Sequence, residues 1–155
     1  MAGLEVSLRD VTRSNFEAVG GLQLLEHQRQ YLAGNSYSLA QLHFYPSFQP
    51  RAIYEGEELV GFLMYAPMDE EGKPNEYKIF RFMVDHRHQA KGIGRQALHL
   101  ALSEIKQKEA AERILICYKT HNPVAQEFYG SFGFVEIGID EKEDDMIAEI
   151  VLPKV

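Results

Sequence analysis

The sequence predicts an α/β fold, a mixed central sheet of about six or seven strands with helices on both faces. Three observations carry this. Between Tyr77 and Tyr118 the apolar period changes from strand to helix and back, giving a strand–helix–strand unit. Ahead of it, "RAIYEGEELVGFLMY" reads as a hairpin. Behind it, a second strand pair closes around the acidic turn "DEKEDD". The hairpins add antiparallel strands to a parallel unit, so the sheet is mixed.

Taken in order, Leu4, Val6 and Leu8 alternate with polar residues as in a half-buried strand. Ser14 and Asn15 offer caps for a helix from about Asn15 to Leu25, with Glu17 in capping-box spacing to Ser14. Glu26 to Leu42 is helical in patches, broken at Gly34-Asn35, with Ser38 as a restart. Arg51–Tyr54 and Leu59–Tyr65 form the first hairpin around Glu55-Gly56-Glu57-Glu58. "MDEEGKPNE" is a loop or wide hairpin connection, and "YKIFRFMVD" a third strand. From Gly92 to Lys108, Ile93, Ala97, Leu100, Ala101 and Ile105 make one helical face. "RILICY" is a buried strand. In "HNPVAQEFYGSFGF", Asn122 caps a helix, Pro123 fits its first turn, and Gly130 or Gly133 ends it. Phe134–Ile139 and Met146–Leu152 are the last strands.

The 155 residues suggest a single domain spanning 1–155, without repeats or a dividing linker. A net charge of −7 argues against broad nucleic-acid or anionic-membrane binding and is compatible with a cationic small substrate. One cysteine, Cys117, excludes an internal disulfide and fits a reducing, cytoplasmic setting. No signal peptide or membrane span is visible in the sequence. The six histidines lack paired ligand spacing, so no metal site is expected. Cys117 lies inside an apolar strand, where a thiol is filler more often than nucleophile.

The chemistry concentrates at Gln89-Ala90-Lys91-Gly92-Ile93-Gly94, where two glycines open a helix. Glycine there weakens the helix by about 1 kcal/mol relative to alanine. It also lets a ligand approach N–H groups that have no helical partner and carry partial positive charge. Strand, turn, glycines and helix therefore make a cradle for a phosphate, with Lys91 and Arg95 adding charge nearby. The alternative on local grounds is a tight turn before a surface helix. GxGxxG and GxxxxGK[ST] are both absent.

Three stretches together resemble the GCN5-related N-acetyltransferase superfamily. They are "RFMVD", the Gln/Arg-x-x-Gly-x-Gly/Ala pattern at Gln89–Gly94, and Asn122, Ala125, Tyr129, Gly133 and Phe134 in the spacing of its Asn-x-x-Ala-x-x-x-Tyr-x-x-x-Gly-Phe. "EHQRQYLAGNSYSLAQ" and "RAIYEGEELVGFLMY" further resemble bacterial polyamine and diamine acetyltransferases. Two departures stand out: the family usually has glycine at the position of Ala90, and often tyrosine at that of His88.

The resemblance implies direct transfer from acetyl-CoA, as cosubstrate, to an amine, with a polycationic small molecule as partner and a homodimer common among relatives. It implies a pyrophosphate cradle at Gln89, Ala90, Lys91, Gly92, Ile93, Gly94 and Arg95, and pantetheine contacts along the backbone of Phe82, Met83 and Val84. Tyr129 becomes the proton donor to the departing sulfur; without the resemblance the favoured reading is a ring packed on the sheet. Asn122 becomes a cofactor contact, a role compatible with capping. No general base is singled out among Glu26, Glu76, Asp85 and Glu127. Glu26, Gln28, Tyr31 and Asp85 are substrate-side residues, with a solvated carboxylate the alternative for Glu26 and a turn cap that for Asp85. Other amines (an aminoglycoside, an amino acid, a protein N-terminus) and a CoA-binding module without turnover are the competing functions.

Overall fold

The computed structural model describes residues 5–26 and 34–153. Seven strands form one sheet in the order β1-β2-β3-β4-β5-β7-β6. They are β1 (Val6–Arg9), β2 (Gln49–Glu55), β3 (Glu58–Met68), β4 (Lys73–Val84), β5 (Arg113–Lys119), β6 (Val135–Asp140) and β7 (Asp145–Val151). Every neighbouring pair is antiparallel except β4–β5, which the helix α3 (Ile93–Lys106) connects as a parallel crossover. The mixed sheet with helices on both faces is therefore as the sequence predicts.

Alternation along each strand sends side chains to two cores. On one face Ile53, Leu63, Tyr65, Ile79, Ile114 and Ile116 pack with Ile93, Ala97, Leu98, Ala101 and Ile105 of α3 and with Tyr129 of α4 (Pro123–Gly130). On the other, Ala52, Phe62, Met64 and Met83 pack with Val19 of α1 (Phe16–Gly21) and, at the margin, with Leu39 and Leu42 of α2 (Asn35–Phe44). Burying each large apolar side chain contributes about 1.5–3 kcal/mol. The α3 face includes Leu98 and Leu102, while Leu100, expected on it, is half-buried.

Several boundaries differ from the sequence reading. The capping box does not form: the Ser14 hydroxyl pairs with Thr12 Oγ1 at 2.9 Å, and Asn15, the N-cap, accepts from Thr12 N at 2.7 Å and gives α1 no side-chain cap. α1 stops at Gly21, where Leu22 turns extended. α2 starts at Asn35, ahead of the restart expected at Ser38: Asn35 is buried and donates to Val19 O at 2.9 Å, which fixes the helix start against α1. "MDEEGKPNE" is mostly strand, since β3 and β4 meet through a single turn closed by Gly72 at φ 75°. No described helix is long and apolar enough to cross a membrane.

Candidate active site

The sheet opens where its one parallel seam ends. β4 and β5 pair only from Glu76–Arg113 to Ile79–Ile116. One residue further, Phe80 is an extra residue against β3: Met64 pairs with Arg81 and Tyr65 with Ile79. Such a bulge bends its strand and sharpens its twist. Phe80–Val84 and Cys117–Lys119 consequently diverge around a cleft of about 720 Å³. Its walls include Phe82, Met83 and Val84, so the strand segment expected to carry a cofactor arm does face open space.

The N-terminus of α3 closes one end. Gly92 is its N-cap at φ 85°, with no side chain capping the first turn. The leading N–H groups are therefore left for a ligand. Ala90 is also left-handed, at φ 63°, where an L-residue costs about 1–2 kcal/mol and glycine costs nothing. Gln89 Nε2 donates to Val84 O at 3.0 Å and ties the turn to the end of β4. Gln89, Ala90, Gly92, Ile93, Gly94 and Arg95 line the cleft, whereas Lys91 is exposed and does not. Arg95 is held toward α4, donating to Ser131 Oγ at 2.8 Å and lying over the Phe132 ring at 4.8 Å.

α4 supplies the opposite wall. Asn122 Oδ1 accepts from Ala125 N at 3.2 Å, the expected cap, and Asn122 also lines the cleft. Tyr129 is 9% exposed, with its ring stacked on Tyr118 and edge-on to Phe128 and Phe134. Its hydroxyl has no hydrogen-bond partner among the described residues, yet Tyr129 lines the cleft. Burial, with a smaller contribution from Tyr118, pushes its phenol well above the usual tyrosine range, so it stays protonated. Tyr118, by contrast, donates to Glu136 Oε1 at 2.7 Å.

Of the predicted substrate-side residues, Asp85 and Glu26 are described, and neither lines the cleft. Asp85 is 1% exposed and absent from the cleft wall. Its carboxylate accepts from Gln23 N at 2.9 Å, from Arg87 N at 3.2 Å and from Arg87 Nε at 2.8 Å. Burial opposes the charge, but the Gln23 and Arg87 donors outweigh it and hold the carboxyl below its ordinary range. Asp85 thus acts as a cap and tether, the alternative that its place at the end of β4 offered. Glu26 is exposed and away from the cleft wall. Gln28 and Tyr31 lie outside the described residues. His88 is buried on the rim, its Nε2 3.4 Å from Glu58 Oε1.

Arg81 was not singled out by the sequence. The bulge turns it toward α2, where Nε donates to Ser38 Oγ at 2.9 Å and Nη2 to Gln41 Oε1 at 3.3 Å. Nη1 donates to Phe80 O at 2.8 Å. Arg81 lines the cleft, as does Cys117, whose thiol burial pushes up. No cluster of ligating side chains suited to a metal occurs among the described residues.

The model of the acetyltransferase (GNAT) family matches residues 10–134. The chain belongs to this family. It is 27% identical over 134 residues to the spermine/spermidine N(1)-acetyltransferase of Bacillus subtilis, covering 84% of this chain and 88% of that one. Its fold matches spermidine N-acetyltransferase from Vibrio cholerae in complex with CoA and spermine (TM-score 0.77, 16% identity, 94% and 95% of the two chains). It also matches an aminoglycoside acetyltransferase in complex with coenzyme A (TM-score 0.79, 15% identity, 95% of each chain). As a GNAT acetyltransferase the chain is an acetyl-CoA-dependent enzyme. The cleft suits that cosubstrate chemically: uncapped helix N–H groups for an anion, an unpaired strand edge for amides, and an unpartnered phenol for sulfur. Enzymes with unlike acceptors share this fold, so the fold does not choose the amine.

Proposed function

We propose that this GNAT enzyme moves the acetyl group of acetyl-CoA directly to a neutral primary amine of a small molecule, without an acetyl-enzyme. The observation that carries this reading is the protonated Tyr129 hydroxyl, without a hydrogen-bond partner among the described residues, on a cleft that ends at the uncapped turn of α3. When bound, acetyl-CoA supplies an acyl group activated as a thioester. The N–H groups of Gly92, Ile93, Gly94 and Arg95 take the pyrophosphate, with Gln89, Ala90 and the Arg95 guanidinium shaping its seat and Lys91 adding charge from outside. The backbone of Phe82, Met83 and Val84 holds the pantetheine amides across the gap left by β5. Asn122 keeps its cap bond and turns its carboxamide N–H to the same arm. The C–S bond breaks as the C–N bond forms; Tyr129 donates its proton to the departing sulfur, and the attacking nitrogen loses one to solvent water, through which the phenol is restored. The thiol of Cys117 stays protonated and takes no acyl group.

The relatives' names support a polyamine or diamine acceptor. One feature favours an alternative in which the amine carries an anion: apart from phenols and the thiol, the titratable side chains of the cleft wall are Arg81, His88, Arg95 and Lys119. The reading includes a cytoplasmic setting, which the single cysteine supports, and a homodimer, which sedimentation tests. The deciding experiment follows CoA release from acetyl-CoA with polyamines, aminoglycosides, amino acids and lysine-containing peptides. Amine-dependent release is expected. Saturable acetyl-CoA binding with no release for any amine would leave a CoA-binding module and overturn the reading.

A further inference from the structure

Arg81 is a half-buried guanidinium in a cleft wall, and no carboxylate reaches it among the described residues. Its three bonds go to neutral oxygens: a serine hydroxyl, a carboxamide and a main-chain carbonyl. The other basic groups of the wall are differently placed. Lys119 pairs with Asp145 at 3.1 Å, and His88 faces Glu58. Arg95 stands in the first turn of α3, at the phosphate end. Even half-buried, a charge without a counter-charge is costly, and an anion entering the cleft would relieve that cost.

Position excludes the pyrophosphate as that anion. A strand advances about 3.3 Å per residue, so Val84 lies about 10 Å along β4 from Arg81, with the cradle beyond it. The faces of the sheet matter too. Tyr129 belongs to the core that α3 covers, while Phe80 and Leu24, which line the cleft beside Arg81, pack into the core on the α1–α2 side. The cleft thus has the sulfur's proton donor on one side of the opened sheet and Arg81 on the other, the side left for the acceptor.

Resting on the acetyl-transfer reading, we propose that Arg81 receives a carboxylate of the acceptor, making the preferred substrate an amino-acid-like amine and not a pure polycation. Nη1 and Nη2 each keep one N–H beyond the bonds already made, which suits the two oxygens of a carboxylate. Nε, fixed by Ser38, keeps the fork oriented. The apolar side chains of Phe80 and Leu24 beside it take the alkyl part of the acceptor.

Matched acceptors isolate the carboxylate: lysine against cadaverine and ornithine against putrescine differ by that group alone. The wild-type enzyme is expected to favour the amino acid of each pair in kcat/KM by about tenfold or more. In Arg81→Met the preference should vanish, through a loss on lysine of about the same tenfold or more relative to cadaverine, with an unaltered KM for acetyl-CoA. Arg81→Lys should restore part of it. A wild-type preference for the diamines overturns the proposal without any variant, as do equal losses on both members of a pair in Arg81→Met. CoA release from diamines alone leaves acetyl transfer standing and removes only the carboxylate. No release with any amine removes both.

Discussion

Replacing Tyr129 with phenylalanine separates chemistry from folding because of how this side chain is held. The ring does the packing, with centroids 5.7 Å from Tyr118, 5.2 Å from Phe128 and 6.0 Å from Phe134, and phenylalanine keeps every one of those contacts. The hydroxyl bonds to no described residue, so its removal breaks no hydrogen bond of the protein. The expected change in stability is within about 0.5 kcal/mol, or slightly favourable, since a poorly satisfied polar group leaves a buried site. Loss of a positioned proton donor costs about 10²–10⁴ in rate. Tyr129→Phe should therefore lower kcat by at least about a hundredfold, with the KM for acetyl-CoA nearly unchanged and the melting temperature within about 2 °C. Steady-state CoA release and thermal unfolding on one preparation check this. Unchanged kcat would refute the donor role, and equal damage to kcat and cofactor binding would recast Tyr129 as part of the seat.

Other outcomes follow from single features. Ala90→Gly relieves a left-handed alanine and should stabilise the fold by about 1 kcal/mol without weakening acetyl-CoA binding, as unfolding and titration would show. Gly61→Ala should cost about 2 kcal/mol or more, because its Cβ would sit 2.5 Å from Met83 O. Gly94→Ala, whose Cβ meets only side chains at 3.7–3.9 Å, should fold normally, so the pair tests backbone proximity by denaturant melts. Asp85→Asn should cost about 2 kcal/mol near neutral pH. Because the Asp85 carboxyl is held below its ordinary value, its contribution is present above about pH 4, the unfolded value, and is lost as pH falls through the lower folded one. The variant and wild-type stability curves should converge on acidification, and parallel curves would refute the assignment.

What the sequence revealed and what it hid divide along physical lines. The uncapped start of α3 was legible because glycines opening a helix are locally expensive and so mark a backbone need, and Gly92 does stand at φ 85°. Strands were legible from period alone. Arg81 was not, since its direction depends on a bulge, and a bulge is a property of pairing between Met64-Tyr65 and Ile79-Arg81 that neither strand carries alone. Asp85 misled for a similar reason. Its ties include an N–H at Gln23, 62 residues earlier, which turned an apparent cleft carboxylate into a structural one. The failed cap at Asn15 shows the same competition at short range: the carboxamide found Thr12 N first.

The seam between β4 and β5 bears on more than where a ligand lies. As a ladder it joins two half-sheets, β1–β4 and β5–β7, through four residue pairs. A molecule bonded to both lips would act as a splint, standing in for the rungs that the bulge prevents. Occupancy and stiffness then become one variable: at a hundredfold excess over Kd the splint adds about 2.7 kcal/mol. An enzyme built this way reports its cosubstrate supply through its own lifetime. Scarcity of the acyl donor would leave the barrel-less, half-zipped sheet not merely idle but easier for heat or a protease to open.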